Sequence, residues 1–326
     1  MSTSKNKTVS LRFKENKGRF IKPCPGTPRY VCCGYRIVNM AQGCNLGCTY
    51  CILDNYFDDD TPILFSNVDK LTEELKQSIA SHRGIIRFGT GEFTDSLLFE
   101  DYYSVYERIL PIIASSSNVV LELKTKTTHI DTLIDMPFYD RIILSWSLNS
   151  SDIANREERN APGIEARIEA AHKIQACGYK LAFHFDPIVY YGGWERGYKK
   201  TIDALFKRID PQNIVYVSMG SLRFSPHVQD SLLGQSRLYL QGDFIRGVDG
   251  KMRYFRPLRT KLYRKVLGFL RQYIPEESVY LCMENEDVWK DVFDIHDMTS
   301  GRLSERLDNA CMKAFKSLHA CIATLR

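Results

Sequence analysis

The sequence predicts an α/β fold: a partial (β/α)6 barrel of the TIM type over residues 35–221, followed by an α+β extension over residues 222–326. Two observations carry this. Apolar, strand-like runs alternate six times with amphipathic segments of helical period, and that alternation builds a parallel sheet with helices outside it. Polar and charged residues gather just after successive apolar runs, and barrels of parallel strands keep their sites at the strands' C-terminal ends. A length of 326 residues admits one large core or two ordinary ones. Six units fall short of the eight that close a full barrel.

Composition narrows the class. Hydrophobic content of 44% and charged content of 25% are those of a globular protein. No run reaches the roughly 18 apolar residues of a membrane helix. The N-terminal Met1-Ser-Thr-Ser-Lys-Asn-Lys lacks the apolar centre of a signal peptide. A cytoplasmic protein without membrane contact is therefore expected. Ten cysteines in a chain this long do not describe a disulfide scaffold, and a reducing compartment suits them. The net charge of +5 is mild, so only its distribution is informative.

In chain order, residues 1–34 form a basic, irregular segment. The first twenty read as a loose arm, and Cys24, Cys32 and Cys33 follow among prolines and Gly26. With no fourth ligand at a credible spacing, these three do not read as a second cluster. The first strand is Arg36–Met40. Asp58–Asp60 reads as a solvated turn. Val68, Leu71, Leu75 and Ile79 mark one face of a helix, with Asn67 as its N-cap. Strands are expected at 85–89, 119–124, 141–147, 179–185 and 214–218. Between them lie helices at 101–114, near 128–135, at 164–176 and at 195–209. The extension holds a helix at 257–272, a short strand at 279–282 and closing helices at 286–293 and 302–323.

The chemistry is concentrated in Cys44-Asn-Leu-Gly-Cys48-Thr-Tyr-Cys51. Three thiolates on one tight loop suffice for three irons of a [4Fe–4S] cluster, leaving the fourth iron open to a small molecule. A closed electron-transfer cluster or a structural zinc site takes four ligands. Gly43 and Gly47 suit a backbone wrapped close to a cluster. The plain alternative is three unrelated buried thiols or part of a zinc knuckle. Spacing, glycines and the preceding strand agree on the cluster. The later strand tips continue the pattern: Gly89-Thr90-Gly91-Glu92-Phe-Thr94-Asp95-Ser96, then Lys124 and Lys126, then Ser145, Ser147 and Asn149, then His184 and Asp186. Strand side chains alternate faces, so His184 and Asp186 share a side.

The cysteine loop resembles that of the radical S-adenosylmethionine (SAM) superfamily. The resemblance implies a cluster held by Cys44, Cys48 and Cys51, with SAM chelated at the open iron. It implies reductive cleavage of SAM to a 5′-deoxyadenosyl radical, with electrons from a donor such as flavodoxin or ferredoxin. Over roughly residues 35–290 the likeness sharpens. Gly-Thr-Gly-Glu-Phe-Thr-Asp-Ser (89–96), Leu-Lys-Thr-Lys (123–126), Ser-Trp-Ser-Leu-Asn (145–149), Phe-His-Phe-Asp-Pro-Ile (183–188) and Lys-Met-Arg-Tyr-Phe-Arg-Pro-Leu-Arg (251–259) are similar to segments of the spore photoproduct lyase family. By that resemblance Gly89, Thr90, Gly91 and Glu92 hold the methionine amine of SAM. Thr94, Lys126 and Ser147 match positions that contact SAM, and Tyr50 in the cluster loop also matches; Asn149, at the same strand tip as Ser147, is expected to join the SAM set.

Two departures stand out. The family's lyases reverse a thymine photoproduct in DNA and use a cysteine to return a hydrogen atom, where this sequence has Glu92. A tyrosine that relays the radical is replaced by Ile52. Cys282 is a candidate substitute donor, or else a small buried hydrophobe. His184 reads as a general acid/base or a substrate ligand, or as a hydrogen-bonded strand residue; Asp186 beside it favours the first. From Arg223 to Arg271 eleven Lys/Arg stand against three Asp/Glu, interleaved with aromatics that include Tyr239. This suits a phosphate-binding groove, with Arg253, Arg256 and Arg259 as contacts, or a solvated helix face. The expected function is hydrogen abstraction from a nucleotide or nucleic-acid substrate. The alternatives are a radical enzyme acting on an unrelated small molecule and a non-catalytic Fe–S protein that binds nucleic acid.

Overall fold

A computed structural model describes residues 11–26, 29–57, 61–135, 140–226 and 241–318. The turn expected at 58–60, the aromatic Tyr239 and the end of the last helix lie outside the described residues. The chain opens with β1 (Arg12–Lys14), β2 (Ile21–Pro23), β3 (Arg36–Val38), β4 (Ala41–Gln42) and β5 (Ile63–Phe65). Then come α1 (Val68–Ala80), β6 (Ile86–Gly89), α2 (Tyr102–Ser115), β7 (Val119–Thr125), α3 (Asp131–Ile134) and β8 (Ile142–Ser147). The barrel continues through α4 (Ser151–Glu157), α5 (Ile164–Ala176), β9 (Lys180–Ile188), α6 (Trp194–Phe206) and β10 (Ile214–Ser221).

One 8-stranded sheet runs in the order β10, β9, β8, β7, β6, β3, β2 from its second strand. Its first strand is Val279–Leu281, which pairs parallel to β10 through Val217↔Val279 and Met219↔Leu281. The sequence places this strand in the extension, whereas here it is a seventh parallel strand of the barrel sheet. Val279 and Leu281 are wholly buried and Tyr280 nearly so. A three-residue apolar run cannot show which sheet it will join. At the far edge β2 runs antiparallel to β3, also unforeseen, because Pro23 and its neighbours mask a strand. β7, β8 and β10 are buried almost along their length, as strands covered on both faces must be.

The N-terminal arm is not loose from residue 11 onward. β1 pairs parallel to β5, and β4 pairs antiparallel to it. Glu74 of α1 accepts hydrogen bonds from the Phe20 and Ile21 amides at 2.8 and 3.2 Å. Asn67 does not cap α1 with its side chain. It accepts from the Asn16 amide and donates to the Asn16 carbonyl, at 2.9 and 3.1 Å.

Beyond β10, β11 (Arg223–Phe224), β12 (Phe244–Arg246) and β13 (Met252–Tyr254) form a small antiparallel sheet in the order β11-β13-β12. α7 (Arg256–Leu270), the barrel strand β14 (Val279–Leu281), α8 (Glu286–Phe293) and α9 (Ser300–Ala314) follow. Among the described residues no helix is long and apolar enough to cross a membrane.

Candidate active site

Three thiols of the cysteine loop and the tips of five strands open onto one cavity of ≈ 300 Å³. Gly43 and Gly47 sit at φ +82° and +63°, a left-handed conformation that costs glycine little. They let the loop turn back on itself, with Cys51 N donating to Cys48 O at 3.0 Å and Gly43 N to Phe93 O at 2.9 Å. The Thr94 hydroxyl donates to Gly43 O at 2.8 Å and so ties the segment after β6 to the loop.

The loop's other side is keyed to the end of α4. Thr49 N donates to Glu157 O at 2.8 Å and Asn160 N to Leu46 O at 3.0 Å. Asn160 Nδ2 donates to Asn45 O at 2.8 Å. The Tyr50 hydroxyl donates to the Glu158 carboxylate, which is also paired with Arg167. Arg167 and Glu158 are both sealed from solvent, with side-chain exposures of 0% and 1%. Arg167 also donates to Ser147 O at 2.9 Å, so one ion pair joins the cysteine loop to the tip of β8. Glu157, Glu158, Asn160 and Arg167 escape the sequence analysis because their partners lie about a hundred residues away or carry no motif.

The thiols fit an iron–sulfur cluster. Burial pushes Cys48 up to about 12, with Lys126 opposing, and burial likewise raises Cys44. Buried thiols become thiolates when positive charge is brought to the sulfur, which a cluster's irons do. Among the described residues no three His, Cys, Asp or Glu side chains converge on a single-ion site.

Beside them, Asp95 organises the next tips. It accepts from Leu97 N at 3.0 Å, Thr125 Oγ1 at 2.7 Å and Lys126 N at 2.6 Å. Lys126 and Ser147 line the cavity, as do Gly91, Glu92, Thr94 and Tyr50. Burial disfavours the Lys126 ammonium, yet the neighbouring Cys48 and Glu158 hold its pKa above the ordinary value. Glu92 is already engaged, paired with Lys124 at 2.5 Å. Three of the residues expected to contact SAM do not line the cavity. Thr90 is buried and donates to Ser96 Oγ at 2.7 Å. Asn149 is buried, accepting from the Tyr198 hydroxyl at 2.6 Å and donating to Pro187 O at 3.0 Å. A Cβ on Gly89 would fall 1.1 Å from the Tyr35 hydroxyl, so glycine is required there by packing.

At the cavity floor His184 bridges two partners: Nδ1 lies 2.6 Å from Ser218 Oγ and Nε2 2.6 Å from Glu122 Oε1. Tyr216 donates to the other oxygen of Glu122 at 2.7 Å. Burial opposes ionisation of Glu122, but the attraction and hydrogen bond of His184 prevail and hold it down at about 2. Glu122 shares the face of Lys124 and Lys126 by strand alternation, and that signal was open to sequence reasoning.

The linkage has a definite sign. A carboxylate depressed from its ordinary 4.5 to about 2 stabilises the fold above pH 4.5 and loses that contribution as pH falls toward 2, a difference of roughly 3 kcal/mol. Wild type should therefore lose Tm between pH 5 and pH 3 more steeply than Glu122→Gln. Parallel curves from scanning calorimetry would refute this.

Asp186 pairs with Arg223 at 2.7 Å, and Arg223 Nη2 lies 3.8 Å from the Cys282 sulfur. Burial pushes the Cys282 thiol up despite Arg223, so it is held as S–H. Cys282, Cys33, Cys24 and Lys251 all line the same cavity.

The arginines expected to meet phosphate are placed otherwise. Arg253 is buried, paired with Asp249 at 2.5 Å, and stacked 4.2 Å from the Tyr30 ring centroid. Arg259 is buried against Glu284 at 3.1 Å. Arg256 lies on the outer surface, paired with Asp287 and Asp291 at 3.1 and 2.7 Å. Glu284, Asp287 and Asp291 lie beyond the basic stretch, whereas Asp249 lies within it, four residues before Arg253.

A partial barrel of parallel strands with a three-cysteine loop after its first parallel strand is the arrangement of the radical SAM superfamily. A family model described as spore photoproduct lyase matches residues 32–227, and the chain belongs to that family. It is 26% identical over 175 residues to a spore photoproduct lyase of Geobacillus sp. (strain Y412MC61), covering 53% of this chain and 51% of that protein. It is 26% identical over 182 residues to the Bacillus subtilis (strain 168) spore photoproduct lyase, covering 54% and 52%. The chain thus spans about half the length of the curated relatives it matches. The fold matches a solved mutant spore photoproduct lyase with bound AdoMet and dinucleoside spore photoproduct at a TM-score of 0.71 and 22% identity, covering 83% of this chain and 81% of that one.

Proposed function

We propose that this chain is a radical SAM enzyme that abstracts hydrogen from a thymine photoproduct or a related dinucleotide lesion in DNA. The observation that carries the reading is the single cavity shared by the Cys44, Cys48 and Cys51 thiols, the Lys126 and Ser147 tips, and the polar set of His184, Asp186 and Arg223. Cys44, Cys48 and Cys51 hold a [4Fe–4S] cluster. Thr94, Lys126 and Ser147 surround SAM, with Glu92 close by. When bound, the two cofactors supply a 5′-deoxyadenosyl radical, given an electron from a small flavin or iron–sulfur protein such as flavodoxin or ferredoxin.

The protein's own contribution is placement and charge. The Lys126 ammonium offers a cation to the carboxylate of SAM. The Lys124–Glu92 pair and the Asp186–Arg223 pair give the cavity both signs of charge in close ion pairs. His184, fixed at both nitrogens, and Asp186 face the substrate space from β9. Returning a hydrogen atom needs a thiol, which Glu92 is not. Among the described residues, Cys24, Cys33 and Cys282 are the thiols beyond the cysteine loop that reach the cavity. A reducing cytoplasm suits all of them.

A second reading, a radical enzyme acting on a small molecule, is favoured by one observation. Arg253 and Arg259 are locked in buried ion pairs and offer no phosphate contact.

The decisive assay reconstitutes the protein anaerobically, adds SAM and dithionite, and measures 5′-deoxyadenosine with and without UV-irradiated thymine DNA. Restored thymine supports the lyase reading. 5′-Deoxyadenosine that irradiated DNA neither stimulates nor converts into repaired thymine removes it. Lys126→Ala should weaken SAM binding about 10- to 100-fold, the worth of one charge-assisted hydrogen bond, with cluster absorbance intact. Loss of that absorbance would show that Lys126 serves the cluster instead.

A further inference from the structure

On the face of β7 that turns into the cavity, Lys124 stands one rung above Glu122 and one below Lys126, and all three line the space. Lys124 Nζ lies 2.5 Å from Glu92 Oε1, a pair used so far only for charge balance. The two side chains are 24% and 26% exposed, and both line the cavity. The pair is built into the wall. Ser96 N donates to Lys124 O and Lys124 N donates to Ser96 Oγ, each at 3.0 Å, so the Lys124 main chain is clamped from both sides. The Thr90 hydroxyl fixes Ser96 Oγ in turn, at 2.7 Å. A Cβ on Gly91 would fall 2.9 Å from both Lys124 Cβ and Lys124 O, so glycine leaves the room for Lys124 beside Glu92.

One hydrogen bond leaves both groups far from saturated. An ammonium has three N–H donors and a carboxylate about four acceptor sites. Among the described residues neither group has another hydrogen-bond partner. The cavity therefore meets a donor and an acceptor side by side, roughly 7 Å deeper along the strand than Lys126. Charge decides what completes such an edge. A phosphate or carboxylate would stand against Glu92, and a cation against Lys124, so neither kind of ion is favoured. A neutral group with an N–H next to a C=O satisfies both at once, through charge-assisted hydrogen bonds.

Resting on the lyase reading, we propose that the Lys124–Glu92 pair reads the imide edge of a thymine ring in the lesion. Glu92 accepts the N3–H, and Lys124 donates to the neighbouring C4=O. Enzymes that work on a base drawn out of its stack read it along this Watson–Crick edge. Position 92, where the family's lyases keep a thiol, is then a recognition element that makes and breaks no bond. A ring methylated at N3 has lost the donor and presses a methyl group on the carboxylate.

The test compares a dinucleotide thymine photoproduct with the same photoproduct methylated at both N3 atoms, using the reconstituted protein with SAM and dithionite. The readout is the ratio of kcat/KM for the two dinucleotides within one protein, so altered cluster content or SAM affinity cancels. Wild type should favour the unmethylated dinucleotide by about 10- to 100-fold, as for one charge-assisted hydrogen bond. Calorimetric titration into cluster-loaded, SAM-bound protein without reductant should give the same order in Kd. Lys124→Met with Glu92→Leu replaces both ions by apolar side chains of similar size, an exchange folds commonly tolerate, and should bring the ratio close to 1. Glu92→Gln, of equal size in case the double variant fails to fold, should also lose most of the ratio. Its amide oxygen goes to Lys124, which turns an N–H toward the N3–H.

Equal kcat/KM or equal Kd in wild type would overturn the proposal and leave the lyase reading intact. So would a ratio that survives both variants and is lost in Asp186→Asn, which would give the edge to the Asp186–Arg223 pair. A double variant changed only in SAM affinity would overturn it too, by placing the pair at the adenine of SAM. Wild type that forms 5′-deoxyadenosine but repairs neither dinucleotide would overturn the lyase reading, and the proposal with it.

Discussion

Cys48→Ala is expected to abolish the cluster, with iron and sulfide content falling to background and 5′-deoxyadenosine formation falling below detection. Cys48 is the middle cysteine of the loop, and its backbone bridges to Glu158, so the main chain around it is held by groups the substitution leaves in place. Alanine removes one sulfur from a buried residue, 8% exposed. The cost to stability should be within about 1 kcal/mol, and far-ultraviolet circular dichroism should be unchanged. Loss of chemistry with retention of fold separates a cluster ligand from a buried structural thiol. A variant that keeps wild-type iron content would refute the assignment. One that loses its helical signal would place Cys48 in the core rather than at a cofactor.

How far the sequence could be read depended on the range of each interaction. The β/α alternation is local, so the helix over residues 164–176 and the strands that precede each polar tip match the structure closely. The cysteine loop is local as well, and its spacing and two glycines were sufficient to mark it. Misreadings arose where a partner is distant. β14 joins β10 over a gap of some sixty residues, and β2 pairs with β3 behind a proline. Thr90 and Asn149 occupy the right segments but turn into the barrel wall, because Ser96 and Tyr198 offer them hydrogen bonds there. Arg253 and Arg259 sit in a stretch with eleven basic residues, yet Asp249 and Glu284 neutralise them. Asp249 is within that count, but a net charge does not assign it to Arg253, and Glu284 lies outside the stretch.

The second large effect is expected at the ion pair that ties the loop to the barrel. Arg167→Met should leave the Glu158 carboxylate sealed from solvent without its guanidinium, at a cost of about 3–5 kcal/mol and a fall in Tm of roughly 5–10 °C. Burial opposes the Glu158 charge, and Lys126 and Arg167 together hold its pKa below the ordinary value. With Arg167 gone, Lys126 is the cation left to balance it, and its ammonium is drawn toward Glu158 and away from the cavity. A double variant, Arg167→Met with Glu158→Leu, distinguishes two roles for the pair. Apolar replacement of both members commonly recovers the stability that one deletion loses, so Tm should return most of the way to wild type. Cluster loading should not return with it, because the Tyr50 hydroxyl and the Ser147 carbonyl will have lost the groups that hold the cysteine loop in register with β8. Recovery of both Tm and iron content in the double variant would mean that the loop is held by its backbone contacts to Glu157 and Asn160 alone.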